Sequence, residues 1–143
     1  MTRAVALDLG TRRIGVALSD SGGSVATPYE TVQRSGDRER DHRRIAQLVD
    51  EAGAEVVVVG LPLSLDGSVG PAARAILDEV DAIGATVGAE VVTWDERLST
   101  VQAERSMQAM GVRKGARRRI VDQLAATVIL QSWLDAGEPR RSS

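Results

Sequence analysis

A mixed-sheet α/β fold is what the sequence predicts, and three observations carry the prediction. The N-terminal stretch as far as Gln33 reads as strands joined by short turns rich in Gly and Asp. Val56 to Val59 is an unbroken valine run, the pattern of a strand buried on both faces of a parallel sheet. The segments on either side of that run carry apolar residues at helical spacing instead.

Taken in order, Arg3 to Leu9 is a mostly apolar strand, and Gly10-Thr11-Arg12-Arg13 turns into a second strand where Ile14, Val16 and Leu18 alternate with smaller residues. Asp20-Ser21-Gly22-Gly23 makes a second turn, and Ser24 to Gln33 reads as a third strand that Pro28 pushes toward an edge. Polarity changes at Ser35-Gly36-Asp37. Ile45, Leu48, Val49 and Ala52 then share a helical face, with Gly53 placed to stop the helix. After the valine strand comes a loop, Leu61 to Gly70. Pro71 then stands at a favourable first helical position ahead of a stripe of Ile76, Val80, Ile83 and Val87. Glu90 to Trp94 is a further short strand, and Ser99 with Gln102 has capping-box spacing for a helix ending near Gly111. The last helix, about Arg117 to Ala136, is apolar over a wide arc from Ile120 to Trp133. One domain over residues 1–137 is expected, with 138–143 as a flexible tail. There is no internal repeat or linker.

Composition narrows the chemistry. At 143 residues such a domain buries roughly two-thirds of its unfolded surface, and 43% hydrophobic residues suffice for a core. Phe is absent, and two Trp and one Tyr are too few for a platform that reads bases by stacking. The lack of cysteine removes disulfides, zinc-thiolate sites and a thiol nucleophile together. No apolar run is long enough for a membrane span and no secretory segment is visible, so the cytoplasm is the expected location, without a membrane partner. The formal net charge of -2 argues for no polyanion by itself. The distribution does, because Arg113, Lys114, Arg117, Arg118 and Arg119 cluster with no acid among them. Arg38, Arg40, Arg43 and Arg44 are interrupted by Glu39 and Asp41 and read as a solvated helix face.

Ligands of an open α/β sheet collect at the carboxyl ends of its parallel strands. Asp8 ends the first strand, and Asp95-Glu96 follows the last. Asp122 is the odd residue of the final helix, falling between Ile129 and Trp133 on a helical wheel. Two carboxylates about 4 Å apart repel by about 4 kcal/mol at an effective dielectric near 20, so three converging acids need protons or cations. Magnesium is hard and oxygen-seeking and meets that need, and a pair of ions about 4 Å apart would activate water and stabilise a leaving oxygen.

Four stretches carry a resemblance: LDLGTRRIGVALSD at 7–20, VVVGLPLSLDGSVGPAAR at 57–74, DERLSTVQAER at 95–105 and VDQLAATVILQSWLD at 121–135. In this order they resemble the YqgF family, also called RuvX, described as Holliday-junction resolvases and as nucleases maturing pre-16S ribosomal RNA. The resemblance implies an RNase H-like fold, a mixed five-stranded sheet flanked by helices. It implies hydrolysis of nucleic-acid phosphodiesters with Mg2+ or Mn2+, on structured RNA or branched DNA, by a monomer or a homodimer. Its acidic positions fall on Asp8, Glu96 and Asp122, with Asp95 able to share or take over the second role.

Each acid also has a structural explanation. Asp8 before Gly10 fits an Asx-type turn. Asp95 can initiate a loop, Glu96 can pair with Arg97 or Arg105, and Asp122 can serve the helix dipole. The loop from Gly60 to Gly70 can hold a phosphate or simply turn, with Asp66-Gly67 read as a turn. The cluster from Arg113 to Arg119 is expected to contact backbone phosphates unless it is only a charged loop, and Arg13 is a weaker candidate for the same surface. His42, the single histidine, lines up with Ile45 and Val49 and reads as packing or a partly exposed cap, with substrate contact as the lesser alternative. The Asp8–Thr11 turn also resembles the phosphate hairpin of actin-like and sugar-kinase ATPases, which close a nucleotide between two such domains. A non-catalytic RNA-binding or ribosome-assembly module is the rival of another class.

Overall fold

A computed structural model describes residues 3–99 and 116–137, with backbone alone over 116–123. The helix expected between Ser99 and Gly111, the basic residues Arg113 and Lys114, and the tail at 138–143 lie outside the described residues.

The chain forms β1 (Ala4–Leu9), β2 (Arg13–Ser19), β3 (Ala26–Gln33), α1 (Arg38–Ala52), β4 (Val56–Leu61), α2 (Pro71–Gly84), β5 (Glu90–Asp95), a short 3-10 turn (Glu96–Leu98) and α3 (Ala116–Asp135). The five strands make one sheet in the order β3-β2-β1-β4-β5. β1, β2 and β3 are an antiparallel meander, and β4 and β5 run parallel to β1.

Side-chain alternation splits β1 between two layers. Ala4 and Ala6 face a cluster with Val56, Val58, Val92 and the α3 residues Ala125, Ala126, Ile129, Leu130 and Trp133. Val5, Leu7 and Leu9 face the opposite cluster with Ile45, Leu48 and Val49 of α1 and Ile83 of α2. The small residues leave the room that the fully buried Trp133 fills, and the branched residues cover the opposite face. The sheet therefore lies between α3 on one side and α1 with α2 on the other.

Local chemistry sets the ends. Asp37 caps α1 by accepting the Arg40 N–H, and Gly53 stops it at φ 65, where a side chain would be strained. β3 starts at Ala26, two residues later than the sequence pattern suggests, because Asp20 accepts the Ser24 and Val25 N–H groups and holds them in the turn. Pro28 sits on the edge strand as expected, and the register skips Tyr29 between the Val16–Glu30 and Ala17–Pro28 pairs, a bulge. α2 ends at Gly84, before the last residue of its expected stripe, yet Val87 stays in the core with its N–H on the Ile83 carbonyl.

Candidate active site

The carboxyl ends of β1, β4 and β5 form one edge of the sheet, and β4 separates the other two. On the α3 side of that edge the alternation Ala4, Ala6 leads to Asp8. Along β4 the sequence Val56, Val58 leads to Gly60. On β5, Val92 and Trp94 precede Glu96, which begins the 3-10 turn. Asp8, Gly60 and Glu96 line one open cleft of about 560 Å³, together with Gly10, Thr11 and Arg34.

Asp8 is 2% exposed and Glu96 1%, which is rare for carboxylates and costly unless their charge is met. Burial, with the Asp95 charge adding to it, pushes the Glu96 carboxyl up to about 7. Gly60 gives Glu96 its space: a Cβ there would sit 2.8 Å from the Glu96 Oε2 and 2.5 Å from the Ile129 Cδ1. Gly10 is as constrained, since its Cβ would lie 2.5 Å from the Arg13 carbonyl oxygen across the turn that follows Asp8.

Asp95 has a different environment. It caps the 3-10 turn by accepting the Arg97 N–H at 2.9 Å and holds the Arg97 guanidinium at 2.7 to 3.1 Å. Those hydrogen bonds set its carboxyl below the ordinary range, against a smaller opposing effect of burial. Arg97 also donates to the Leu65 carbonyl, so the clamp ties the loop after β4 to the end of β5. Adjacent acids thus divide: Asp95 pairs with Arg97, while Glu96 lines the cleft with Asp8.

Residue 122 lies on α3, in its first turns, and its side chain is outside the described residues; so are those of Arg117, Arg118 and Arg119. Arg13 is half-buried in the β1–β2 hairpin, beside the neighbouring cavity. The loop after β4 closes on itself through Ser64 N to Ser68 O and Gly67 N to Ser64 O, with the Ser68 N–H on the Asp66 carboxylate, so several of its amides are engaged internally.

Sequence reading missed a buried network behind this edge. Glu79 of α2 is 5% exposed. It accepts both Nη groups of Arg34 at 2.9 Å and lies 2.7 Å from the His42 Nε2. Burial raises the Glu79 carboxyl, and hydrogen bonds from Arg34 and His42 with their charges outweigh it, so the net direction is downward. Arg34 Nε also donates to the Gly10 carbonyl at 2.7 Å, anchoring the turn after Asp8. His42 is therefore a fully buried hydrogen-bond partner rather than a partly exposed cap. The single histidine at helical register with Ile45 and Val49 was the available signal; the partner on α2 was not.

No group of three metal-binding side chains is found among the described residues, whose side chains exclude Asp122. The donor set present is nonetheless suited to a hard cation: two buried carboxylates share a water-open cleft, and one is raised by burial and by a like charge.

The layered mixed sheet with carboxylates at the ends of its parallel strands defines a protein of RNase H-like, RuvC-like architecture. The RuvC of T. thermophilus in complex with Holliday junction substrate superposes with a TM-score of 0.55 at 14% identity, covering 96% of this chain and 97% of that one, a likeness of fold alone. The family model RuvX, described as Holliday junction resolvase, matches residues 2–136, and the chain belongs to that family. A protein of Desulforudis audaxviator (strain MP104C) named "Putative pre-16S rRNA nuclease" is 41% identical over 141 residues, 99% of each chain. A protein of the same name from Mycobacterium sp. (strain KMS) is 48% identical over 134 residues, 93% of this chain and 79% of its own. Among the described residues no helix is long and apolar enough to cross a membrane.

Proposed function

We propose that this protein is a cytoplasmic, divalent-metal-dependent nuclease that hydrolyses phosphodiester bonds in maturing the 5′ end of pre-16S ribosomal RNA. The observation that carries the reading is the meeting of Asp8 and Glu96, far apart in the chain, as buried carboxylates of one open cleft. The names of relatives at 41% and 48% identity supply the RNA.

Asp8, Glu96 and Asp122 are the residues that would hold magnesium or manganese. Residue 122 precedes Ile129 by two helical turns, and Ile129 packs against Gly60 between the two described acids. That periodicity supports Asp122 on the α3 face that covers this edge. Divalent ions held there would supply charge neutralisation for the phosphodiester and make an attacking water more acidic. Asp8 near the end of β1 and Glu96 at the start of the 3-10 turn would contribute carboxyl oxygens. Gly60 keeps the floor between them open, and the Asp95–Arg97 clamp turns Glu96 inward. Arg34 holds the Gly10 carbonyl and so orients the turn after Asp8. Arg113, Lys114, Arg117, Arg118 and Arg119, with Arg13, are proposed to meet backbone phosphates without reading bases.

A second reading, resolution of four-way DNA junctions, is favoured by the description of the family model; symmetrical cleavage of a junction would call for two copies of the chain. The test is purified protein with magnesium or manganese on a precursor 16S RNA transcript and on a four-way DNA junction, beside Asp8→Asn and Asp122→Asn. Cleavage of the transcript that both substitutions abolish is expected. Junction cleavage alone would transfer the assignment to DNA, and equal behaviour of wild type and variants would refute a catalytic role for the acids.

A further inference from the structure

Next to the acidic cleft lies a cavity of about 610 Å³ walled by Arg12 and Arg13 of the β1–β2 turn, Arg34 after β3 and Arg38 at the start of α1. Four arginines from three stretches of chain line it. The one carboxylate in its wall, Asp41, is 4% exposed and accepts the Ser35 N–H at 3.1 and 3.2 Å. Glu79 stands behind Arg34 and serves as its bidentate partner. It also forms an ion pair with the Arg38 Nε at 3.8 Å, beyond hydrogen-bond range. Arg12 is exposed and has no side-chain partner among the described residues. Arg34 uses three of its five N–H donors on Gly10 and Glu79, leaving two. Setting Arg12, Arg34 and Arg38 against Asp41 and Glu79 leaves one positive charge in excess, and the buried Glu79 and Gly10 contacts fix the direction of the Arg34 guanidinium.

The cavity adjoins the cleft, with Thr11 and Arg34 lining both. A polyanion with phosphates spaced along a chain can reach from the arginines across the Gly10–Thr11 turn toward Asp8 and Glu96, whereas a single small anion would fill the arginine side alone. No aromatic side chain lines the cavity, so contacts there address the backbone and not the bases.

We infer that the cavity lined by Arg12, Arg34 and Arg38 binds backbone phosphates of the nucleic acid on one side of the bond presented to the acids, an inference that rests on the nuclease reading above. Phosphodiester chemistry is common to RNA and DNA, and the two probes of the test separate them.

Binding is measured by fluorescence anisotropy in an Asp8→Asn background, with a labelled RNA transcript spanning the 5′ boundary of precursor 16S RNA and with a labelled four-way DNA junction. Adding Arg12→Ala and Arg38→Ala together, both at exposed positions, is expected to raise Kd about tenfold or more on the probe that binds. The slope of log Kd against log salt should become shallower by about 1 to 2. Arg40→Ala with Arg43→Ala, on the same helix but lining a different cavity, is expected to leave both quantities unchanged. An unchanged Kd and slope for the Arg12/Arg38 variant, an equal loss in the Arg40/Arg43 variant, or no binding of either probe would each overturn the inference. Cleavage by wild type and by Asp8→Asn is scored separately: if Asp8→Asn still cuts, the nuclease reading fails whatever the arginines do.

Discussion

Glu96 keeps its proton in the folded protein up to about pH 7 because burial, and then the neighbouring Asp95 charge, disfavour the carboxylate. In the unfolded chain the group ionises near its ordinary 4.5. The unfolded state therefore binds fewer protons between those two values, and stability falls as pH rises across the window. A shift of this size corresponds to a penalty on the order of 3 kcal/mol above pH 7. In chelator, Glu96→Gln is accordingly expected to raise the melting temperature at pH 8 by roughly 5 °C or more, and by much less at pH 5; equal shifts at both values would contradict the assignment. Gly60→Ala acts on the same side chain from the neighbouring strand β4. Its Cβ would have to displace Glu96 or Ile129, so a loss of about 1–3 kcal/mol in stability and at least a tenfold loss of cleavage are expected, measured by denaturant titration and by initial rates. That Asp8 and the Asp95-Glu96 pair would share one sheet edge was readable from their positions at strand ends. The division of labour between Asp95 and Glu96 was not, because it depends on how a 3-10 turn aims two adjacent side chains.

At the level of elements, Arg34 joins four of them. It leaves the end of β3, bonds the β1–β2 turn through the Gly10 carbonyl, and meets α2 at Glu79, which in turn meets α1 at His42. Arg34→Met would leave Glu79 buried without its bidentate partner, at a cost of about 3–5 kcal/mol. Reduced cleavage at temperatures where the variant is still folded would follow from a loosened turn after Asp8. The wild-type contribution is acid-sensitive: the Glu79 carboxyl is depressed on folding, so its stabilisation is present above 4.5 and is lost as pH falls through its lower folded-state value. A flatter acid limb of stability against pH in Arg34→Met than in wild type is the expected signature. The strands and α1 were legible because period-two and period-3.6 patterns act within a few residues. Val56 to Val59 announced a buried strand, and Gly53 a helix end. Arg34, Glu79 and His42 were illegible for the converse reason, since their pairing spans α1, β3 and α2 and leaves no spacing signal.

Over the whole molecule, a formal charge of -2 conceals a polar arrangement, with carboxylates gathered at one sheet edge and arginines on the adjoining surface. Neutralising Arg117, Arg118 and Arg119 together is expected to weaken nucleic-acid binding and to flatten its salt dependence by about one unit for each phosphate that is no longer neutralised; an unchanged slope would remove them from the interface. The mixed-sheet topology followed from the element order alone. The convergence of a strand-end aspartate with a glutamate two strands away required the β1-β4-β5 order as well. The most direct measurement of that convergence is an anomalous-difference map from crystals grown with manganese. Density between the carboxylates of Asp8 and Glu96, absent in Asp8→Asn crystals, is the predicted result. Well-ordered crystals with both carboxylates resolved and no manganese between them at saturating metal would contradict the account.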